Sequence, residues 1–118
     1  MGTRAGVGRY GEQVAAAHLQ ANGIRVLERN WRCREGEIDI VAEDGDCLVV
    51  CEVKTRRTDA YGPPAEAVTP VKLARLRRLT AAWLAEHEGT WPAVRIDVVA
   101  VTRALRGAAR VEHLRGVG

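Results

Sequence analysis

Three residues stand out because each interrupts an apolar strand: Asp39 in Gly36-Glu37-Ile38-Asp39-Ile40-Val41-Ala42, and Glu52 and Lys54 in Cys51-Glu52-Val53-Lys54. A carboxylate placed among apolar neighbours is costly unless it is paired, protonated or bound to a cation. A divalent metal ion would serve. Hydrolysis of a phosphodiester uses such an ion to activate water and to offset charge building on the scissile phosphate. Hard cations of this kind take carboxylate, carbonyl and water oxygens. The residue types therefore point to a Mg²⁺ or Mn²⁺ site, with Asp39 and Glu52 as ligands and the Val53 carbonyl as a neutral addition. Lys54 would orient the attacking water or offset phosphate charge.

These groups need elements to hold them. Val14, Ala15 and Leu19 recur at helical spacing and Asn22-Gly23 supplies a stop, so a first helix is expected over Val7 to Asn22. Glu12 shares the apolar side of that helix with Ala15, Ala16 and Leu19, and so points inward as a further acidic candidate for the same ion. Ile24 to Arg29 reads as a strand, and Asn30 to Glu35 as a polar, arginine-rich connection. Strands over Glu37 to Glu43 and Cys47 to Lys54 then flank Asp44-Gly45, read as the two central residues of a type I′ hairpin turn. That register sets Val41 opposite Leu48, Asp39 opposite Val50 and Glu37 opposite Glu52. Asp39, Glu52 and Lys54 then share one face, the two acids being diagonal neighbours about 7–8 Å apart. The alternative is a surface pair between Glu52 and Lys54, with Asp39 solvated at a sheet edge.

Beyond the hairpin, Tyr61-Gly62-Pro63-Pro64 marks a loop. Thr69-Pro70 reads as an N-cap and first helical residue, opening a helix to His87. Ala93 to Thr102 is apolar enough for an interior strand, and Arg110 to Leu114 reads as a short last one. The order αβββαβ, with a final β, implies an α/β fold: a mixed sheet flanked by helices. Residues 1–6 and 103–109 read as loose.

The 118 residues are expected to form one domain over 1–118, with 47% hydrophobic and 28% charged residues. No apolar run approaches the ~18 residues of a membrane span, and no secretory signal is evident, so a cytoplasmic protein without a membrane partner is expected. Three cysteines without a Cys-x-x-Cys pair read as reduced thiols, Cys47 and Cys51 in the core, and argue against zinc. The net charge is only +3, but arginines and lysines cluster around the acidic motif and in Lys72 to Arg78, which suits a polyanion. Arg32, Arg34, Arg56 and Arg57 flank the expected ion as phosphate contacts, and Lys72 approaches the same phosphates. Trp31 reads as packed rather than stacked on a base, Trp83 and Trp91 as core, Glu66 as a partner of a helix terminus, and Asp97 as paired with a sheet neighbour.

Gly11-Glu12, Glu28-Arg29-Asn30-Trp31, Gly36-Glu37-Ile38-Asp39, Glu52-Val53-Lys54-Thr55-Arg56, Gly62-Pro63, Glu66-Ala67-Val68 and Arg95-Ile96-Asp97-Val98-Val99 together resemble the motifs of the small bacterial YraN-like proteins. The resemblance spans residues 5 to 115. It implies a restriction-endonuclease-like αβββαβ core of the PD-(D/E)xK type, similar to archaeal Holliday junction resolvases. On that resemblance Asp39 matches the metal-binding aspartate, Glu52 and Lys54 the acid-x-Lys pair, and Glu12 the acidic residue of the first helix. Ile38 stands where the motif's name has proline. The implied activity is a Mg²⁺- or Mn²⁺-dependent endonuclease acting on DNA, branched or structured DNA included, in a homodimer. Two other readings are a catalytically silent nucleic-acid-binding module of the same fold, and a protein-interaction scaffold whose acidic cluster is structural.

Overall fold

The computed structural model of the chain describes residues 4–56, 68–104 and 106–118, with side chains from residue 8 onward. The alanine-rich first segment forms helix α1 (Arg4–Ala21), and Gly23, in the left-handed region at φ 77°, turns the chain into the sheet. Strands β1 (Arg25–Cys33), β2 (Gly36–Asp44) and β3 (Cys47–Arg56) follow, then helix α2 (Pro70–Glu86) and strands β4 (Ala93–Thr102) and β5 (Arg110–Leu114). The strands form one sheet in sequence order, antiparallel throughout except where β3 runs parallel to β4. A parallel neighbour needs a crossover, and α2 supplies it. Thr69 caps α2 by accepting a hydrogen bond from the Lys72 N–H at 3.1 Å, with Pro70 next in line.

The two helices cover opposite faces. α1 buries Ala15, Ala16 and Leu19 against Ile40, Val49 and Val99. On the other side α2 buries Leu76, Leu79 and Trp83 against Val41, Val50 and Ile96. Trp31 and Trp91 pack against the second cluster, as the sequence suggests. The result is the expected α/β architecture, a mixed five-stranded sheet between two helices, consistent with a restriction-endonuclease-like core. Among the described residues, no helix is long and apolar enough to cross a membrane.

Four local expectations need correction. α1 begins at Arg4 rather than Val7. β1 continues to Cys33 through the stretch expected to be a connection, because an edge strand keeps one margin in water and tolerates Asn30, Arg32 and their neighbours. The β2–β3 turn is centred on Gly45-Asp46, not Asp44-Gly45: Gly45 takes φ 60° while Asp46 stays out of the positive region, the type II′ preference for a leading glycine. Partners shift accordingly, Val41 facing Val50 and Ile40 facing Cys51. Lastly, Cys47 is only half-buried, whereas Cys51 is fully enclosed and its thiol pKa is driven up, chiefly by burial and then by the charges of Asp97, Asp39 and Glu52. Arg57, Tyr61-Gly62-Pro63-Pro64 and Glu66 lie outside the described residues.

Candidate metal centre

Alternation along β2 breaks at one place. Ile40 and Ala42 pack with α1 and Val41 with α2, yet Ile38 also packs with α2. A strict period of two would put Ile38 with Ile40, so side-chain alternation breaks at Asp39 while the β1–β2 register runs on past it. β1 departs from regularity at the same level. Asn30 lies between the pairs Arg29↔Ile40 and Trp31↔Ile38, and its φ of 54° is the one positive value among the described non-glycine residues. Irregularities of this kind re-aim side chains.

Here they gather carboxylates. One oxygen each from Glu12 on α1 and from Glu37 and Asp39 on β2 lie within 4.8 Å of one another. Gly11 lets α1 come that close, since a Cβ at this position would overlap the Thr55 hydroxyl on β3. Each acid has its own partner. Asn30 Nδ2 donates to Glu12 Oε1 at 2.8 Å, Arg32 Nε to Glu37 Oε2 at 2.6 Å, and the Val53 N–H to Asp39 Oδ2 at 2.8 Å. The Asp39 pKa is raised to about 7. Burial contributes most, the Val53 hydrogen bond opposes it, and the charges of Glu52, Glu12 and Glu37 add to it. All the donors in this set are hard oxygens at a site where negative charge is under strain, so the residues present fit Mg²⁺ or Mn²⁺.

Two of the expected residues, Asp39 and Glu12, therefore meet. Glu37 joins them without having been counted among the candidates; the signal that could have found it is its place two residues before Asp39, on the same strand and face. Glu52 is near enough for its charge to act on Asp39, but it stands outside the three-carboxylate group and forms an ion pair with Lys72 in the first turn of α2. That contact replaces the alternative Glu52–Lys54 pair, and half-buried Asp39 is not a solvated edge residue. Lys54 is exposed, and Val53 enters through its N–H. Among the expected phosphate contacts, Arg32 is held by Glu37 and Lys72 by Glu52, Arg34 sits in the β1–β2 turn, and Arg56 closes β3, its carbonyl accepting from the Arg103 N–H at 2.7 Å.

Asp97 serves a different purpose. Fully buried in β4, it accepts from Arg95 Nε at 3.0 Å and from the Gly116 N–H at 2.9 Å, and lies 2.7 Å from His113 Nε2. It ties β4 to β5 and to the residues after it, in agreement with the sheet-neighbour role read from the sequence.

Fold and acidic cluster together define an α/β protein with a restriction-endonuclease-like arrangement of strands and helices. The model of Uncharacterised protein family UPF0102 matches residues 11–101. A UPF0102 protein of Beutenbergia cavernae is 64% identical over 112 residues, covering 95% of each chain. One from Kineococcus radiotolerans is 65% identical, covering 94% of this chain and 92% of the relative, and one from Streptomyces coelicolor is 60% identical, covering 99% and 92%. The chain belongs to the UPF0102 family, the YraN-like proteins whose motifs its sequence resembles.

Proposed function

We propose that the chain is a Mg²⁺- or Mn²⁺-dependent endonuclease that hydrolyses phosphodiester bonds of DNA, branched or structured DNA included. The observation that carries this reading is the convergence of Glu12, Glu37 and Asp39 within 4.8 Å, with Glu52 close enough for its charge to act on Asp39. Asp39, Glu12 and Glu37 would hold the cation, with Glu52 and the Val53 carbonyl as further candidate ligands. When bound, the ion supplies an activated water and charge neutralisation at the phosphate. The protein's own contribution is orientation: the Val53 N–H fixes one Asp39 oxygen, and Asn30 and Arg32 fix Glu12 and Glu37. Lys54, exposed near the carboxyl end of β3, would meet a phosphate or the attacking water.

Cleavage of branched, single-stranded and duplex DNA with Mn²⁺ tests the proposal. Asp39→Asn and Glu52→Gln should each abolish it, and cleavage that survives both changes would refute it.

The Lys72–Glu52 ion pair favours a second reading, because a glutamate already neutralised by an internal lysine suits a structural role. On that reading the chain binds nucleic acid without turnover. Salt-dependent DNA binding with no cleavage under any divalent ion would select it.

A further inference from the structure

Asn30 occupies a conformation that its surroundings do not otherwise demand. It lies within β1, where extended backbone is the rule, yet its φ is 54°, a region that few residues other than glycine, asparagine and aspartate enter. Its side chain is exposed, so no core packing requires the bend. What the bend accomplishes is a contact. The Asn30 amide Nδ2 donates to Glu12 Oε1 at 2.8 Å, joining β1 to α1 between the pairs Arg29↔Ile40 and Trp31↔Ile38. One Glu12 oxygen is thereby held. An out-of-the-way conformation kept at a cluster of carboxylates is what a site-forming residue displays.

We propose that Asn30 is a positioning residue of the acidic cluster: its left-handed backbone turns its amide onto Glu12 and fixes that carboxylate beside Asp39 for the divalent cation. This rests on the metal reading above. Outer partners that orient metal ligands typically change affinity by about 10–100-fold when removed. Asn30→Gly is the informative change, because glycine accepts the same φ while the amide is lost.

The test is Mn²⁺ binding by calorimetry on the full chain, in wild type, Asn30→Gly, Glu12→Ala and the double variant. Asn30→Gly should melt close to wild type and bind Mn²⁺ at least about tenfold more weakly. In the Glu12→Ala background it should add no further loss. A second measurement needs no metal: the Asn30 side-chain amide resonance should move when Glu12 becomes alanine. Unchanged affinity in Asn30→Gly, an equal loss in both backgrounds, or an Asn30 amide signal indifferent to Glu12 would each overturn this inference and leave the metal site standing. Absence of Mn²⁺ binding to the wild type would overturn the metal reading, and this inference with it.

Discussion

Asp39 gathers opposing demands in a single side chain. Its carboxyl is half-buried beside three other acids, and its pKa of about 7 lies well above the usual aspartate value. The folded state therefore holds a proton between about pH 4 and 7 that the unfolded chain releases, so stability falls as pH rises through that window and levels off above it. The shift corresponds to up to about 4 kcal/mol. Asp39→Asn should remove most of this slope while keeping an acceptor for the Val53 N–H; urea unfolding at pH 5 and pH 8 measures it. Because a cation competes with that proton, wild-type Mn²⁺ affinity should climb from pH 5.5 toward 7 and then flatten, as titration calorimetry would record. Asp97 is buried among its own hydrogen-bond partners. Asp97→Ala would leave Arg95 without its buried partner and should cost about 3–5 kcal/mol, visible as a lower urea midpoint. Both aspartates interrupt apolar strands in the same way. What differs is the arginine two residues before Asp97 and the histidine brought alongside from β5, and only the assembled sheet supplies the latter.

At the level of elements, helix and strand identities were legible wherever one short-range signal decided them. Thr69-Pro70 gave α2 its start, apolar runs gave β2 through β4, and the apolar face of α1 aimed Glu12 inward. The failures share a cause: they depend on partners. An edge strand and a loop have equally polar residues, so β1 could not be told from a connection beyond Arg29. The hairpin turn hinged on which position glycine would take, and moving it by one residue re-paired both strands. Because the re-pairing is an even step, β3 still turns Leu48, Val50 and Glu52 toward α2, but Asp39 turns toward Glu12 on α1, so the single face expected for Asp39, Glu52 and Lys54 is not formed. The break in alternation at Asp39 had no signal in hydropathy at all, and it is what turns Asp39, and Glu37 two residues before it, toward Glu12 on α1. Gly11 carries a prediction at this scale. Gly11→Ala would press a methyl group into Thr55 and force α1 off the sheet, at about 1–3 kcal/mol, with weaker Mn²⁺ binding because Glu12 moves too. Thr55→Ala in the same chain should restore part of both.

For the whole molecule, carboxylates contributed by a helix and a strand make the site a clasp between layers. A ligand bound to it should stabilise the native state globally: Mn²⁺ at about 100 times its dissociation constant should add about 2.7 kcal/mol, a rise of order 10 °C in melting temperature. Asp39→Asn and Glu12→Gln should abolish that rise, and differential scanning fluorimetry would show it. The enclosed thiol of β3 then acquires a use. Cys51 sits at the centre of the sheet with no exposed surface, while Cys33 and Cys47 are partly accessible. Alkylating reagents should modify those two on the native protein, but should reach Cys51 only during excursions that pull the sheet apart. Its labelling rate, followed by mass spectrometry, is a native clock for cooperative opening, and a cation that clasps α1 to β2 should slow it.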